Sequence, residues 1–230
     1  MRIKFVDLEL VYPKLESEGN LILFYCDFNV ANYLYESKIN ISQPISFYHD
    51  STLVHLVLKY FYKRNVTKQV STEFLYEFLH AGIKKKKNLF FFGDKQSTLE
   101  FLSARLKTQY PGVNICGMIE GYNYDTENVI TAINQTHADI LFVGLGVGRQ
   151  EKWICENLQK INSCVILSAG GWFRLLSGEK KRAPGFIRKI CLEWLYKLVT
   201  EFARVWKRYF YGIPKFIFRV VKRKIIFEVN

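Results

Sequence analysis

The sequence predicts an α/β fold in which a largely parallel sheet is flanked by helices. Apolar runs of strand length alternate with helical segments of about a dozen residues along most of the chain, which is the pattern of βαβ units. The carboxyl ends of parallel strands share one edge of a sheet, and ligands bind there. The strand-end turns that should meet at this edge lie around Asn29, Asp50, Gly93, Gly121, Gly144 and Gly170.

Each element is predicted from its own pattern. The helix predicted over 72–87 ends in four lysines, and basic residues suit a helix C-terminus because of the helix dipole. Ser97 and Glu100 have the spacing of a capping box at the start of the next helix. The predicted strands cover 20–30, 88–94, 112–123, 138–146 and 163–171, and the predicted helices cover 51–64, 72–87, 97–110, 128–136 and 150–161.

The distribution of charge predicts two parts in this chain of 230 residues. Residues 180–230 contain fourteen Lys or Arg and three Glu, a net charge of +11, whereas the whole chain carries +12. The composition turns basic within SGEKKRAPG (177–185), where Pro184 interrupts regular structure. We therefore predict a core domain over 1–178 and a basic appendage over 179–230 that meets a polyanion.

The remaining totals restrict the class of protein. The five cysteines are scattered without a CxxC pair, which indicates reduced thiols in a cytoplasm rather than disulfides or a zinc site. The four histidines show no ligand-like grouping, so no metal and no cofactor is expected. The first residues are charged throughout, unlike a signal peptide, and no apolar run reaches the roughly 18 residues of a membrane span. The protein is expected to stay inside the cell without crossing a bilayer.

The stretch FVGLGVGRQEKW (142–153) is a candidate anion site. Glycines let a backbone approach a ligand closely, and a helix start presents free N–H groups to an anion. The spacing of Gly144, Gly146 and Gly148 matches neither the dinucleotide fingerprint nor a P-loop, so a tight turn without a ligand is the alternative. Gln150 is the candidate nucleotide contact, and Glu151 also fits ordinary first-turn helix chemistry.

Asp50 stands where a stretch rich in β-forming residues ends and a helix begins. An aspartate at that position is either a helix N-cap or the general base of an α/β enzyme. His49 beside it is the other candidate base, although a lone histidine is more often structural.

The C-terminal stretch 186–224 interleaves aromatic and basic residues. At helical spacing Lys197, Arg204 and Arg208 share one stripe, with Lys207 beside it. Gly212 and Pro214 are expected to break the helix, and a second basic-aromatic segment follows. A helix of this kind suits an anionic membrane surface. The alternatives are a helix packed on the core with a solvated basic edge, and a nucleic-acid surface, which fits less well because the aromatics have core-like spacing.

Several motifs resemble those of the WecG/TagA/CpsF glycosyltransferases, glycosyltransferase family twenty-six. In that family a strand–turn–helix segment runs roughly D-I-[LV]-x-V-G-L-G-x-P-[KR]-Q-E-x-W, similar to ADILFVGLGVGRQEKW here (138–153). Its C-terminal part contains R-A-P, L-E-W-L-[YF]-R-L and R-x-W-[KR]-R-Y, similar to RAP (182–184), LEWLYKL (192–198) and RVWKRY (204–209). The resemblance runs from residue 88 to 220 and is looser before it.

The resemblance implies a Rossmann-like core that transfers a sugar from a UDP-sugar, with inversion and without a metal. The sugar would be of the N-acetylmannosamine type or another hexose. The acceptor would be a polyprenyl-diphosphate-linked saccharide for capsule, cell-wall or teichoic-acid synthesis, used at the cytoplasmic membrane face by a peripheral protein. The family commonly self-associates, which leaves a homo-oligomer open, and it implies no nucleic-acid partner.

Site residues are carried over position by position. Asp50 matches the proposed base, and Gln150 matches a glutamine that helps to hold the nucleotide sugar. Together with the candidates named above, the predicted substrate-binding residues are Asn29, Lys68, Glu73, Gly93, Tyr122, Gly144, Gly146, Gln150, Glu151, Lys197, Arg204, Lys207 and Arg208.

The chain also departs from the family pattern. Ser51 follows the proposed base where the family has Gly, Gly148 replaces a Pro, and Arg174 replaces an Asp. Ser71 and Glu73 replace the Gly and Asp of the family's G-x-D. These departures motivate the alternative function, a catalytically inactive membrane-associated scaffold that binds a nucleotide sugar.

Overall fold

The computed structural model describes residues 1–6, 21–39, 41, 45–49, 51–64, 71–162, 165–181, 183–184, 187 and 193–229. Within these ranges the chain forms one eight-stranded sheet in the order β5-β4-β6-β7-β2-β3-β1-β8. Every paired strand in it is parallel, which confirms the predicted fold class. The strands are β1 (Arg2–Phe5), β2 (Leu21–Tyr25), β3 (Ile45–Tyr48), β4 (Leu89–Gly93), β5 (Ile115–Ile119), β6 (Ile140–Gly144), β7 (Val165–Ser168) and β8 (Ile226–Val229).

Helices cover both faces of the sheet. The short helix α2 continues into a π-helical turn over Val57–Phe61. Helix α6 continues into a 3₁₀ turn over Leu158–Lys160. The helices are α1 (Phe28–Ser37), α2 (Thr52–Leu56), α3 (Ser71–Lys84), α4 (Gln96–Gln109), α5 (Thr126–Gln135), α6 (Arg149–Asn157), α7 (Trp172–Leu176), α8 (Glu193–Thr200), α9 (Phe202–Phe210) and α10 (Gly212–Val221).

Two hydrophobic layers hold this arrangement, one on each face of the sheet. Successive strand residues point to opposite faces, so Phe90 and Phe92 pack in one layer and Phe91 packs in the other. The first layer includes residues of α1, α5, α6 and α10, and the second includes residues of α3, α4 and α7. Strands covered on both faces are apolar without interruption, which explains the run LFFF in β4.

The predicted capping box at the start of α4 is wrong. Helix α4 begins at Gln96 behind Lys95, which makes no side-chain cap bond, so Ser97 lies inside the helix and forms no capping box. The chain turns earlier because Asp94 has a φ of 54° and its carboxylate accepts the N–H of Lys95 at 3.0 Å. Helix α2 is capped by the Ser51 side chain, whose hydroxyl accepts the N–H of Val54 at 3.4 Å. Asp50 itself lies outside the described residues.

The last part of the predicted appendage packs on the core. Strand β8 pairs in parallel with β1, and the buried Arg219 of α10 donates to the carbonyl and the side-chain oxygen of Asn32 in α1, at 3.2 and 2.8 Å. Glu36 of α1 forms ion pairs with Arg219 and Lys215 at 2.7 and 2.6 Å. The break between α9 and α10 falls at Tyr211, next to the predicted Gly212. The domain boundary at 178/179 stays a prediction.

No helix in the described ranges combines the length and the apolar character that crossing a bilayer requires.

Candidate functional site

A cleft of about 450 Å³ lies at the carboxyl edge of the sheet. One side is formed by the turns that follow β2, β4, β5, β6 and β7, and the other by residues of α8, α9 and the α8–α9 junction. The predicted meeting of strand-end turns at one edge is therefore confirmed for the turns after these strands. The polar and charged residues that line the cleft are Tyr25, Asp27, Tyr48, Asp94, Tyr122, Arg149, Gln150, Ser168, Arg174, Lys180, Lys181, Tyr196, Glu201 and Arg208.

The turn after β6 depends on glycine at two positions. Gly146 and Gly148 have φ values of 87° and 90°, a region that L side chains rarely adopt. A Cβ on Gly148 would lie 2.6 Å from the Tyr33 ring. The N–H of Gly148 donates to Glu151 Oε2 at 2.6 Å. A proline fits neither observation because its φ is near −65° and it has no N–H. The backbone turn at Gly148 therefore differs from a turn that contains the proline of the family pattern.

Gln150 and Glu151 join this turn to the one after β7. Glu151 is fully buried, and its Oε1 accepts a hydrogen bond from Gln150 Nε2 at 2.7 Å. Gln150 Oε1 in turn accepts the N–H of Gly170 at 3.0 Å. Because each carboxylate oxygen of Glu151 faces a donor, this residue fixes the orientation of the Gln150 amide at the cleft surface.

Burial changes the acidity of Glu151. Desolvation raises its pKa to about 7, against the opposing effect of the hydrogen bonds from Gln150 and Gly148. The charge of Asp27 raises the pKa further. Glu151 is therefore a carboxyl that titrates near neutral pH while it holds a turn of the cleft.

Two further glycines allow the strand ends to approach each other. Gly93 has a φ of 137°, and a Cβ there would lie 2.4 Å from the carbonyl carbon of Gly144. A Cβ on Gly121 would lie 2.8 Å from the Cα of Gly93. Backbone therefore packs directly on backbone where β4, β5 and β6 end.

The turn after β7 is open by contrast. A Cβ on Gly170 or Gly171 would meet no atom within 4 Å, and both residues line the cleft. Gly170 has a φ of 54°, whereas Gly171 has an ordinary φ of −82°. This turn leaves room for a ligand next to the Gln150 amide.

Asp27 and Arg208 face each other across the start of α1. Asp27 Oδ1 caps α1 by accepting the N–H groups of Asn29 and Val30, each at 2.8 Å. The Arg208 guanidinium lies 5.8 Å from the Phe28 ring centroid, and its Nε makes no hydrogen bond within the described part of the chain. Its burial lowers the pKa, but the negative charge of Asp27 leaves the pKa of Arg208 raised. A largely buried cation that lines the cleft suits an anionic ligand.

Arg174 and Asp94 form an ion pair that lines the cleft. Arg174 Nε donates to Asp94 Oδ2 at 2.9 Å, and its Nη2 donates to Asp94 Oδ1 at 3.1 Å and to the Tyr122 hydroxyl at 3.2 Å. The hydrogen bond to Asp94 is the main cause that raises the pKa of Arg174. The arginine that departs from the family pattern is thus paired with the carboxylate of the residue that directly follows β4.

The cleft includes some of the predicted site residues and not others. Tyr122, Gly144, Gly146, Gln150 and Arg208 line it. The predicted strand over 20–30 ends at Tyr25, so Asn29 lies in the first turn of α1 and not at a strand end. Gly93 and Glu151 lie beside the cleft without lining it, Glu73 is an exposed residue in the first turn of α3, and Lys207 is exposed on α9. Asp50 and Lys68 lie outside the described residues, and for Lys197 and Arg204 only the helical backbone is described.

Sequence reasoning missed several residues that line the cleft, notably Asp27, Asp94, Arg149 and Ser168. Asp27 and Asp94 come two and one residues after a buried strand, so the rule that singled out the Gly144 turn applies to them as well. Ser168 carries a weaker signal, because it is the last residue of β7 and its hydroxyl accepts the N–H of Tyr25 at 2.8 Å across the sheet.

Comparison with known proteins identifies the family. Residues 45–229 match the family model described as "Glycosyl transferase WecG/TagA/CpsF family". The chain belongs to the WecG/TagA/CpsF family. This confirms the resemblance drawn from the motifs, and it extends the match to the start of β3, before residue 88.

Curated relatives agree with this assignment. The chain is 34% identical over 148 residues to the N-acetylglucosaminyldiphosphoundecaprenol N-acetyl-β-D-mannosaminyltransferase of Bacillus subtilis (strain 168), a match that covers 64% of this chain and 57% of that protein. Proteins of the same name match from Bacillus spizizenii (36% over 146 residues, 64% and 56%) and Staphylococcus aureus strain NCTC 8325 (28% over 152 residues, 66% and 59%). The chain thus spans less than two thirds of the length of these relatives.

Proposed function

We propose that this protein is an inverting, metal-independent glycosyltransferase that moves a hexose from a UDP-sugar to a polyprenyl-diphosphate-linked saccharide for a cell-surface polymer. The main support is the cleft at the carboxyl edge, where two glycine turns joined by Gln150 lie opposite the cation of Arg208, in a chain of this family. The relatives' names suggest an N-acetylmannosamine-type sugar and an N-acetylglucosamine-diphosphate-undecaprenol acceptor.

The donor diphosphate would lie on the turn after β7 and the start of α6. Open space at Gly170 and Gly171 leaves room for it, and Arg149 at the first position of α6 adds a cation to the helix N-terminus. Arg208 would stabilise the negative charge that develops on the departing UDP, which is the role that a metal has in other transferases.

Asp50 would act as the general base. Tyr48, two positions before it, lines the cleft, and Ser51 directly after it caps α2. The carboxylate would take the proton from the acceptor hydroxyl while that hydroxyl attacks the anomeric carbon on the face opposite UDP. Inversion follows from this single displacement. General-base catalysis of this kind typically contributes about 10²–10⁴ in rate.

The acceptor is lipid-linked, so we propose that the protein works as a peripheral protein at the cytoplasmic membrane face. Helices α8 and α9 expose large apolar side chains, among them Val199, Phe202 and Phe210. Lys207 is exposed on α9. Apolar side chains bordered by cations are typical of helices that lie on anionic lipid.

The test is transfer to a lipid-diphosphate-linked N-acetylglucosamine acceptor in detergent, with a panel of UDP-sugars and mass spectrometry of the lipid. We expect a mass shift with one donor, and a loss of about 10²–10⁴ in turnover for Asp50→Asn with UDP affinity retained. Glu100→Gln, which removes an exposed carboxylate of α4 that does not line the cleft, is the matched control. Wild-type turnover in Asp50→Asn would refute the base assignment, and absence of UDP binding would refute the proposed function.

The Arg174–Asp94 pair favours one alternative, a scaffold that binds the nucleotide sugar without transferring it. This pair places a bidentate ion pair in the cleft where the family pattern has an aspartate. UDP binding by the wild-type protein without transfer from any donor would support the scaffold, and transfer from one donor would eliminate it.

A further inference from the structure

Two segments without acidic residues meet at the β8 end of the sheet, away from the cleft. Residues 51–72 and 202–227 contain no Asp or Glu. The Tyr62 hydroxyl donates to the Ile225 carbonyl at 3.0 Å, and the rings of Tyr62 and Phe227 lie 5.8 Å apart. The structure therefore brings together two basic segments that lie about 160 residues apart in sequence.

The surface formed there is strongly basic, and we call it the edge patch. It comprises the exposed side chains of residues 56–64 together with those of residues 218–224. Its cations are Lys59, Lys63, Arg64, Lys222, Arg223 and Lys224, all of them exposed. Lys224 Nζ lies 5.5 Å from the Phe218 ring centroid, and Lys59 Nζ lies 5.6 Å from that of Tyr60.

Large apolar side chains are exposed in the same two segments. Leu56, Tyr60, Phe61, Phe218 and Val221 are each more than two-fifths exposed, an unusual concentration for a solvated surface. Leu56 and Val221 are aliphatic and cannot stack on a nucleobase, so two of the five apolar side chains contribute nothing to a single-stranded nucleic-acid site. Cations around apolar side chains instead match a bilayer, in which headgroups carry negative charge above an apolar interior.

We propose that the edge patch is a second membrane-binding surface, which contacts anionic lipid independently of α8 and α9. This inference rests on the peripheral location in the proposed function and adds the α2 and π-helical segment to the contact. Two separate contacts restrict the orientation of the protein on the membrane, and binding through both is stronger than through either alone because the second contact is intramolecular.

The test compares two variants that each lose three positive charges. Lys59→Gln, Lys63→Gln and Arg64→Gln together neutralise one half of the edge patch. The control replaces Lys84, Lys85 and Lys86 by Gln. These three lysines are exposed at the end of α3. That control site precedes β4, six strand positions from β8, or about 29 Å at about 4.8 Å per strand.

Binding is measured by sedimentation with vesicles of phosphatidylcholine containing 30% phosphatidylglycerol, and with vesicles of phosphatidylcholine alone. A cation near an anionic surface contributes about fivefold in partitioning, so the patch variant is expected to lose between about tenfold and a hundredfold at 0.1 M salt. The control is expected to lose less than threefold, because charges beyond a Debye length of about 10 Å are screened. Thermal unfolding by circular dichroism checks that both variants are folded.

The outcomes separate this inference from the proposed function. If the patch variant binds anionic vesicles as tightly as wild type, or if the control loses as much, the edge patch is not a membrane contact. A single-stranded oligonucleotide that binds wild type more tightly than the anionic vesicles do, with the same loss in the patch variant, would overturn it in favour of nucleic acid. Failure of the wild-type protein to bind any vesicle refutes the peripheral location itself, whereas the transfer assay in detergent still tests the enzyme.

Discussion

The two sides of the cleft are built in different ways. On the sheet side, position is set by backbone: Gly93 packs against Gly144, and Gln150 bonds to Gly170. On the side of the C-terminal helices, position is set by long side chains such as Arg208, whose guanidinium lies over aromatic rings. The sheet side is therefore expected to be rigid and sensitive to single atoms, whereas the helical side contributes charge that a ligand orders.

The largest effect is expected where backbone packs on backbone. Gly93→Ala introduces a Cβ 2.4 Å from the Gly144 carbonyl carbon at a φ of 137°. Strain and overpacking together should lower the free energy of unfolding by about 2–5 kcal/mol, and Tm by about 5–15 °C. Gly171→Ala is the control, since its Cβ meets no atom within 4 Å. Equal Tm values for the two variants would contradict a backbone-packed sheet side.

The pH dependence of stability tests the role of Glu151 on the sheet side of the cleft. Its folded-state pKa of about 7 lies above the ordinary value of 4.5, so the folded protein binds the proton more tightly than the unfolded chain. The stability from this group is complete below pH 4.5 and is lost as pH rises through 7, a change of about 3 kcal/mol. Urea unfolding at several pH values should show this decline in wild type and not in Glu151→Gln. Parallel curves for the two proteins would rule out a shifted Glu151.

Substitutions of Arg208 and of its neighbour Lys207 test how the helical side of the cleft binds a ligand. Arg208 lines the cleft, whereas Lys207 is exposed beside Trp206. Loss of a charge-assisted hydrogen bond of about 1.5–3 kcal/mol predicts that Arg208→Gln weakens UDP binding by about tenfold to a hundredfold in calorimetry. Lys207→Gln should leave UDP binding within about twofold, since an exposed charge is screened. Similar losses in both variants would indicate a diffuse electrostatic effect instead of a contact.

The smallest effect is expected at the open turn. Gly171→Ala should change the free energy of unfolding by less than about 0.5 kcal/mol, because the new methyl group enters open space. If the donor diphosphate occupies that space, the same methyl group should weaken UDP binding by a few-fold at constant stability. Unchanged UDP affinity would place the diphosphate elsewhere in the cleft.

Much of the fold follows from local patterns in the sequence. The apolar run of β4 and the glycine turn after β6 predict buried parallel strands with turns at one edge, and both predictions are confirmed. The caps of α2 and α4 could not be predicted in the same way. Asp50 and Ser51 are both good N-cap residues, and the start of α4 is fixed by the backbone of Gly93 and Asp94, which depends on contacts with β6.

The residues of the site also divide into those that a local sequence pattern predicts and those that it does not. The motif around Gln150 identified a residue of the cleft, because a helix start after a glycine turn is a local feature. The Arg174–Asp94 pair and the approach of Arg208 to Asp27 join residues 80 or more positions apart, and no local pattern specifies such partners.

The sequence by itself determined the parallel α/β fold, the family and the glycine turn, since strand periodicity, motif spacing and glycine's conformational freedom are properties of neighbouring residues. The tertiary structure decided that β8 closes the sheet beside β1, that Glu151 is buried behind the cleft, and that two segments without acidic residues share one surface. These outcomes depend on which strands pair and which faces pack together. Burial and charge at a given point are sums over all elements that meet there, and they are set only when the chain has folded.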